Sequence, residues 1–127
     1  MALQISREQL RQMLGQSEPL LLAALERLVR EAHGAVVDDL PQPLVDAMLR
    51  KGLDTAQRYG LIDPVDVATF VLLMFEFGPD FHRHTAVLDR LTDRALPVRD
   101  RLAAVVSQTP EAVWQEIEST LPRQRWF

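Results

Sequence analysis

Tyr59-Gly60-Leu61-Ile62-Asp63-Pro64-Val65-Asp66-Val67-Ala68-Thr69-Phe70-Val71-Leu72-Leu73-Met74-Phe75-Glu76-Phe77-Gly78-Pro79-Asp80-Phe81 is the most apolar segment of the 127-residue chain and holds five of its eight aromatic residues. Taken alone, the unbroken run from Phe70 to Phe75 would suit a buried strand, but its flanks favour a helix. Asp63 can accept a hydrogen bond at an N-cap, Pro64 suits the first helical position, Asp66 suits the first turn and Gly78-Pro79 marks a stop. The roughly 14 residues between these signals exceed an ordinary strand. Apolar residues lie on every side of the last two turns, so the spacing predicts a central helix over 64–77 with other helices around it.

Working outward, the same kinds of signal recur. Ser6-Arg7-Glu8-Gln9 has the form of a capping box, opening a short helix that carries Leu10, Met13 and Leu14 on one face and stops near Gly15. Ser17-Glu18-Pro19 starts a second helix with Leu21, Leu25, Leu28 and Ala32 on a stripe that Leu22 and Val29 widen, ending near Gly34. On its solvated side Glu26 and Arg30 have the favourable acid-first spacing of four. Ala35 to Pro43 reads as a connection. A helix from Leu44 to Tyr59 follows, with Val45, Met48, Leu49, Gly52, Ala56 and Tyr59 on one side; Gly52 and Ala56 remove side-chain bulk where a neighbouring helix can come close. Gly60 suits a left-handed close to it.

Beyond the central segment, Thr85 is the expected cap of a helix that turns Val87, Leu88, Leu91 and Ala95 inward. Pro97 either breaks that helix or starts the next, in which Val98, Leu102, Val105 and Val106 face the core. Thr109-Pro110-Glu111 places a cap, a first-turn proline and a first-turn acid ahead of Val113, Trp114, Ile117 and Leu121, before Pro122. The whole predicts an all-α single domain over residues 1–127, a bundle of six or seven helices, with the tail 122–127 free to move.

Composition narrows the function classes. With no Cys the chain has no disulfide framework and no thiolate metal site, which fits a reducing compartment, and the cytoplasm is the expected location. Met1 to Leu10 lacks the basic start and apolar run of a signal peptide, and no stretch is long enough to insert in a membrane. Fourteen basic and 18 acidic residues, dispersed along the chain with a net charge of −4, give no footprint for nucleic acid.

No motif for catalysis emerges. His82-Arg83-His84 beside Asp80 is the one histidine cluster, but His33 is the only other imidazole and no Cys can complete a metal site, so these residues read as a solvated loop. Ser6, Ser17, Ser107 and Ser119 lie at caps, boundaries or an exposed helix. Asp38-Asp39 and the pair Asp63 and Asp66 fit turns and helix starts better than acid–base work. The expectation is a protein without enzymatic activity or cofactor, with a small enzyme built on an unrecognised pocket as one alternative. Two stretches could serve partner binding. One is the loop Gly78 to His84, where Phe81, expected to turn inward, is followed by His82, Arg83 and His84. The other is the tail, where Arg123, Arg125, Trp126 and Phe127 join cations to aromatics, a composition enriched at interface hot spots; Trp126 can equally fold back onto the bundle.

Gly52-x3-Ala56-x-Arg58-Tyr59-Gly60-Leu61, with Asp66-Val67, Phe70-Val71, Leu73-Met74-Phe75, Phe77-Gly78 and Asp80-Phe81, resembles a group of small helical proteins of bacterial type VI secretion effector gene clusters. The likeness spans about residues 44 to 91, mostly core and turn positions. Members of that group usually follow the Phe with an acidic residue, Asp-Pro and Trp, where this chain has His82-Arg83-His84-Thr85. The resemblance implies a non-catalytic accessory or co-chaperone role in effector loading, with an adaptor chaperone, effector or toxin as protein partner. An immunity protein that neutralises a cognate toxin is the alternative within that class.

Overall fold

The computed structural model describes residues 18–121 and 125–127. Among these residues there are six α-helices and no strand: α1 (Glu18–Val37), α2 (Gln42–Arg58), α3 (Pro64–Phe77), α4 (Thr85–Leu91), α5 (Val98–Gln108) and α6 (Glu111–Thr120), with a 3-10 turn at Phe81–Arg83 between α3 and α4. The expected helix at Ser6 to Gly15 and the site candidate Arg123 lie outside the described residues.

The central helix is where the sequence places it. Asp63 Oδ1 accepts from the Val65 N–H at 2.8 Å, Pro64 opens the first turn, and Gly78, at φ 105°, ends the helix. Ten of the eleven positions from Val65 to Phe75 are buried, the exception being Thr69. α3 packs against α1, α2, α5, α6 and the 3-10 turn, so its apolar sides are covered from several directions. Gly60, at φ 79°, turns α2 into the connection to α3, a conformation that glycine adopts without a Cβ penalty.

α2 and α3 meet closely because Gly52 has no side chain. A Cβ placed there would stand 3.1 and 3.3 Å from the two methyl carbons of Val71. Val45, Met48, Leu49 and Ala56 bury the rest of that stripe, joined by Leu53 and Thr55. Thr55 reaches this interior by giving its hydroxyl proton to the Lys51 carbonyl at 2.7 Å.

Several local expectations are corrected. α1 continues a turn past Gly34, to Val37, through a kink at His33 (φ −139°, ψ 40°), and Ala32, just before the kink, is exposed. α2 begins at Gln42, two residues early. Thr85 does not cap α4; the His84 imidazole does, its Nδ1 accepting from the Ala86 N–H at 3.1 Å. α4 ends at Leu91, leaving Ala95 in the exposed link, while Pro97 precedes α5 rather than breaking a longer helix. Val106 faces outward and Ala104 inward. At α6, Pro110 occupies the cap position with no side-chain bond, and the Thr109 hydroxyl is buried without a partner.

The expected Glu26–Arg30 pair forms at 3.0 Å and belongs to a wider polar clasp. Arg30 also binds Asp38 at 3.0 Å and Gln42 at 3.3 Å, and Gln42 returns to Glu26 at 2.8 Å and to Asp46 at 2.9 Å. The clasp fastens α1 to the start of α2 across the short connection that separates them.

Two stability outcomes follow from this packing. Gly52→Ala should lower stability by about 1 kcal/mol, because crowding against a β-branched side chain with a fixed rotamer costs more than the helix propensity returns. In a Val71→Ala background the same change should become stabilising, a non-additivity that chemical denaturation of the four proteins would measure. Thr109→Val, which removes a buried unpaired hydroxyl, should raise stability by about 1 kcal/mol; a loss of similar size would show that the hydroxyl caps α6 after all.

Candidate protein-binding groove

The C-terminal ends of α1, α3 and α6 and the first turns of α2 come together at one face of the bundle. Between them lies a groove of about 1160 Å³, lined by Ala35 and Val36 of α1, Leu40 of the connection, Leu44 and Met48 of α2, Phe75 of α3, Glu118 and Leu121 near the end of α6, and Arg125, Trp126 and Phe127 of the tail. The kink at His33 redirects the last turn of α1, and that turn supplies Ala35 and Val36 to the wall. Val36 and Leu44 are part-exposed there, and Phe127 is 70% exposed.

At Trp126 the tail is seated on the bundle rather than free. Trp126 is 5% exposed, its ring centroid 4.6 Å from that of Phe75. Its carbonyl accepts a hydrogen bond from Lys51 Nζ, and the same ammonium lies 5.2 Å from the centre of the Phe127 ring, within cation–π range. Of the four tail candidates, Trp126 thus serves the core, Arg125 and Phe127 stand at the surface of the groove, and Arg123 is outside the described residues.

The second candidate cluster does not join the first, since none of Phe81, His82, Arg83 or His84 lines the groove. Nor is it a solvated loop. Phe81 is fully buried, 5.2 Å from the Phe70 ring and 6.3 Å from Trp114. His82 is buried beside it, with Nδ1 2.6 Å from the Tyr59 hydroxyl and its ring edge-on to the Tyr59 ring at 5.3 Å. His84 is engaged through both nitrogens: because Nδ1 accepts from Ala86, Nε2 carries the proton and donates to Glu116 at 3.2 Å, tying the 3-10 turn to α6. Arg83 alone of the four is exposed, 3.6 Å from Asp80. Among the described residues no three His, Cys, Asp or Glu side chains are grouped to hold a metal ion, and no helix is long and apolar enough to cross a membrane.

The signals missed in the sequence are specific. Tyr59, the residue that caps the C-terminus of α2, has a hydroxyl that needs a partner, and the imidazole 23 residues on supplies it. Burial holds His82 below the ordinary histidine value, with Arg83 and Lys51 acting in the same direction and Asp80 and the Pro79 carbonyl opposing; burial likewise raises the Tyr59 phenol.

No family model matches the chain, and neither a curated protein nor a solved structure is similar to it. The resemblance to type VI accessory proteins therefore rests on the quoted residues alone.

A pH effect follows from His82. Its folded-state proton affinity is below that of the unfolded chain, so the contribution is complete above the ordinary histidine value of about 6.5 and declines as pH falls through it, the unfolded state then binding the extra proton. Urea midpoints measured from pH 7.5 to 5 should fall more steeply for the native protein than for His82→Gln; parallel curves would show that His82 takes no part.

Proposed function

We propose that the protein is a non-catalytic accessory that binds another protein through the groove. The observation that carries this reading is the groove itself, an open trough of about 1160 Å³ that mixes aliphatic and aromatic side chains with polar surface and presents Val36, Leu44 and Phe127 to water. Large exposed apolar surface with a polar rim is the mark of an interaction site. The described residues bring no nucleophile, base and orienting group together at this place: its titratable lining consists of Glu118 and Arg125. The resemblance around the central helix supplies the setting, a co-chaperone or adaptor partner that helps load type VI effectors in the bacterial cytoplasm. Charges of both signs along the chain fit that role better than the plug of an immunity protein, which fills a polar active site with concentrated charge.

The test combines capture with a groove variant. The native protein used as bait in lysate of its own cells should retain an adaptor chaperone or effector, and Leu44→Asp, at a part-exposed position, should weaken that retention about tenfold or more, as loss of a central anchor does. Deleting the gene should reduce effector secretion. Protection of cells from a co-produced toxin would select the immunity role instead, and retention unaffected by Leu44→Asp would move the binding face elsewhere.

A further inference from the structure

His82 and His84 stand on either side of Arg83 and meet a proton in different surroundings. The His82 ring is enclosed by Tyr59, Phe70 and Phe81, and the titratable and charged groups facing it are Tyr59 and Lys51 of α2 and Asp80 and Arg83 of its own segment. Burial there disfavours the charged ring, which keeps the turn fixed to α2 through the Tyr59 hydroxyl. The His84 side chain is 19% exposed, so protons reach it from water. It faces the Glu116 carboxylate of α6 at 3.2 Å. Arg83 is turned to Asp80, and Arg90 of α4 is committed to the Ala86 and Gln108 carbonyls at 2.7 and 3.2 Å.

The bond from the Ala86 N–H to His84 Nδ1 can form only while that nitrogen carries no proton. Once both ring nitrogens are protonated, Nδ1–H meets the Ala86 N–H donor against donor, whereas Nε2–H keeps Glu116 and makes a charge-assisted bond to it. α4 has seven residues, too few to hold a first turn by helix propensity alone. We propose that His84 is a proton-operated cap: neutral, it starts α4; protonated, it releases the Ala86 N–H, stays on Glu116 and lets the first turn of the helix fray. Phe81 and His82 keep the preceding turn seated, and the buried Val87 and Leu91 keep the rest of α4 on the bundle. The device lies away from the groove and does not depend on the protein-binding reading.

The test is amide hydrogen exchange of the full chain, followed residue by residue by NMR at pH 7.5 and pH 5 and corrected for the intrinsic pH dependence of exchange. Between the two conditions the protection of the Ala86 amide should fall about fivefold or more relative to amides in the middle of α2. That comparison separates the cap from any general loss of stability through His82, which lowers protection in both places. His84→Asn keeps a side-chain acceptor at the cap that does not titrate, so its Ala86 amide should remain protected at both pH values. His84→Ala has no acceptor and should lack the protection at both. Ala86 protection in the native protein that changes no more than that of α2 overturns the proposal. So does an Asn variant that loses protection in acid as the native chain does. If a variant fails to fold, as far-ultraviolet circular dichroism would show, the native comparison alone decides.

Discussion

A helix that is apolar all the way round cannot rest on a surface; it has to be enclosed. α3 is such a helix, and the placement of the other elements answers that constraint. α1 and α2 cover one side, with the closest approach made where Gly52 meets the methyls of Val71, and α5 and α6 cover others. Aromatic rings fill the spaces the helices leave: Phe70 with Tyr59, Phe81 and His82, and Phe77 stacked on Trp114 at 4.5 Å. At Phe75, among the described residues, the Trp126 ring rather than a helix lies against the ring. The groove is thus the remainder of the packing problem posed by α3.

The architecture was legible because its signals are local and redundant. An Asp-Pro start and a Gly-Pro stop bound α3 without reference to the rest of the chain, and Gly60 marks its turn from α2. Single-residue capping was less readable. Thr85 has the usual chemistry for a cap, yet His84, one residue earlier, has both the extended backbone and a ring nitrogen in reach of the Ala86 N–H. Thr109 shows the converse: a capping residue type whose hydroxyl is turned into the interior because Pro110 occupies the cap position.

The candidate site was legible only in part, and for a different reason. A tail of cations and aromatics has the same composition whether its aromatics meet a partner or their own core, and which holds depends on whether some helix face is left uncovered. The histidine pair was misread because polarity in sequence does not reveal a partner far away: the Tyr59 hydroxyl satisfies the buried His82, and Glu116 of α6 engages His84. The groove itself, assembled from the ends of four helices and a connection, has no contiguous signature.

The order of the elements along the chain has a consequence for biosynthesis. α1, α2 and α3, which emerge before the other described helices, already hold the most extensive interhelical packing, joined by short connections that close quickly. The sides of α3 that α5 and α6 cover, and the Phe75 ring that Trp126 covers, lack those covers until residues 98–126 have been made. During that interval α3, the most hydrophobic helix, lacks the partners that α5, α6 and Trp126 supply, and of these three Trp126 is synthesised last.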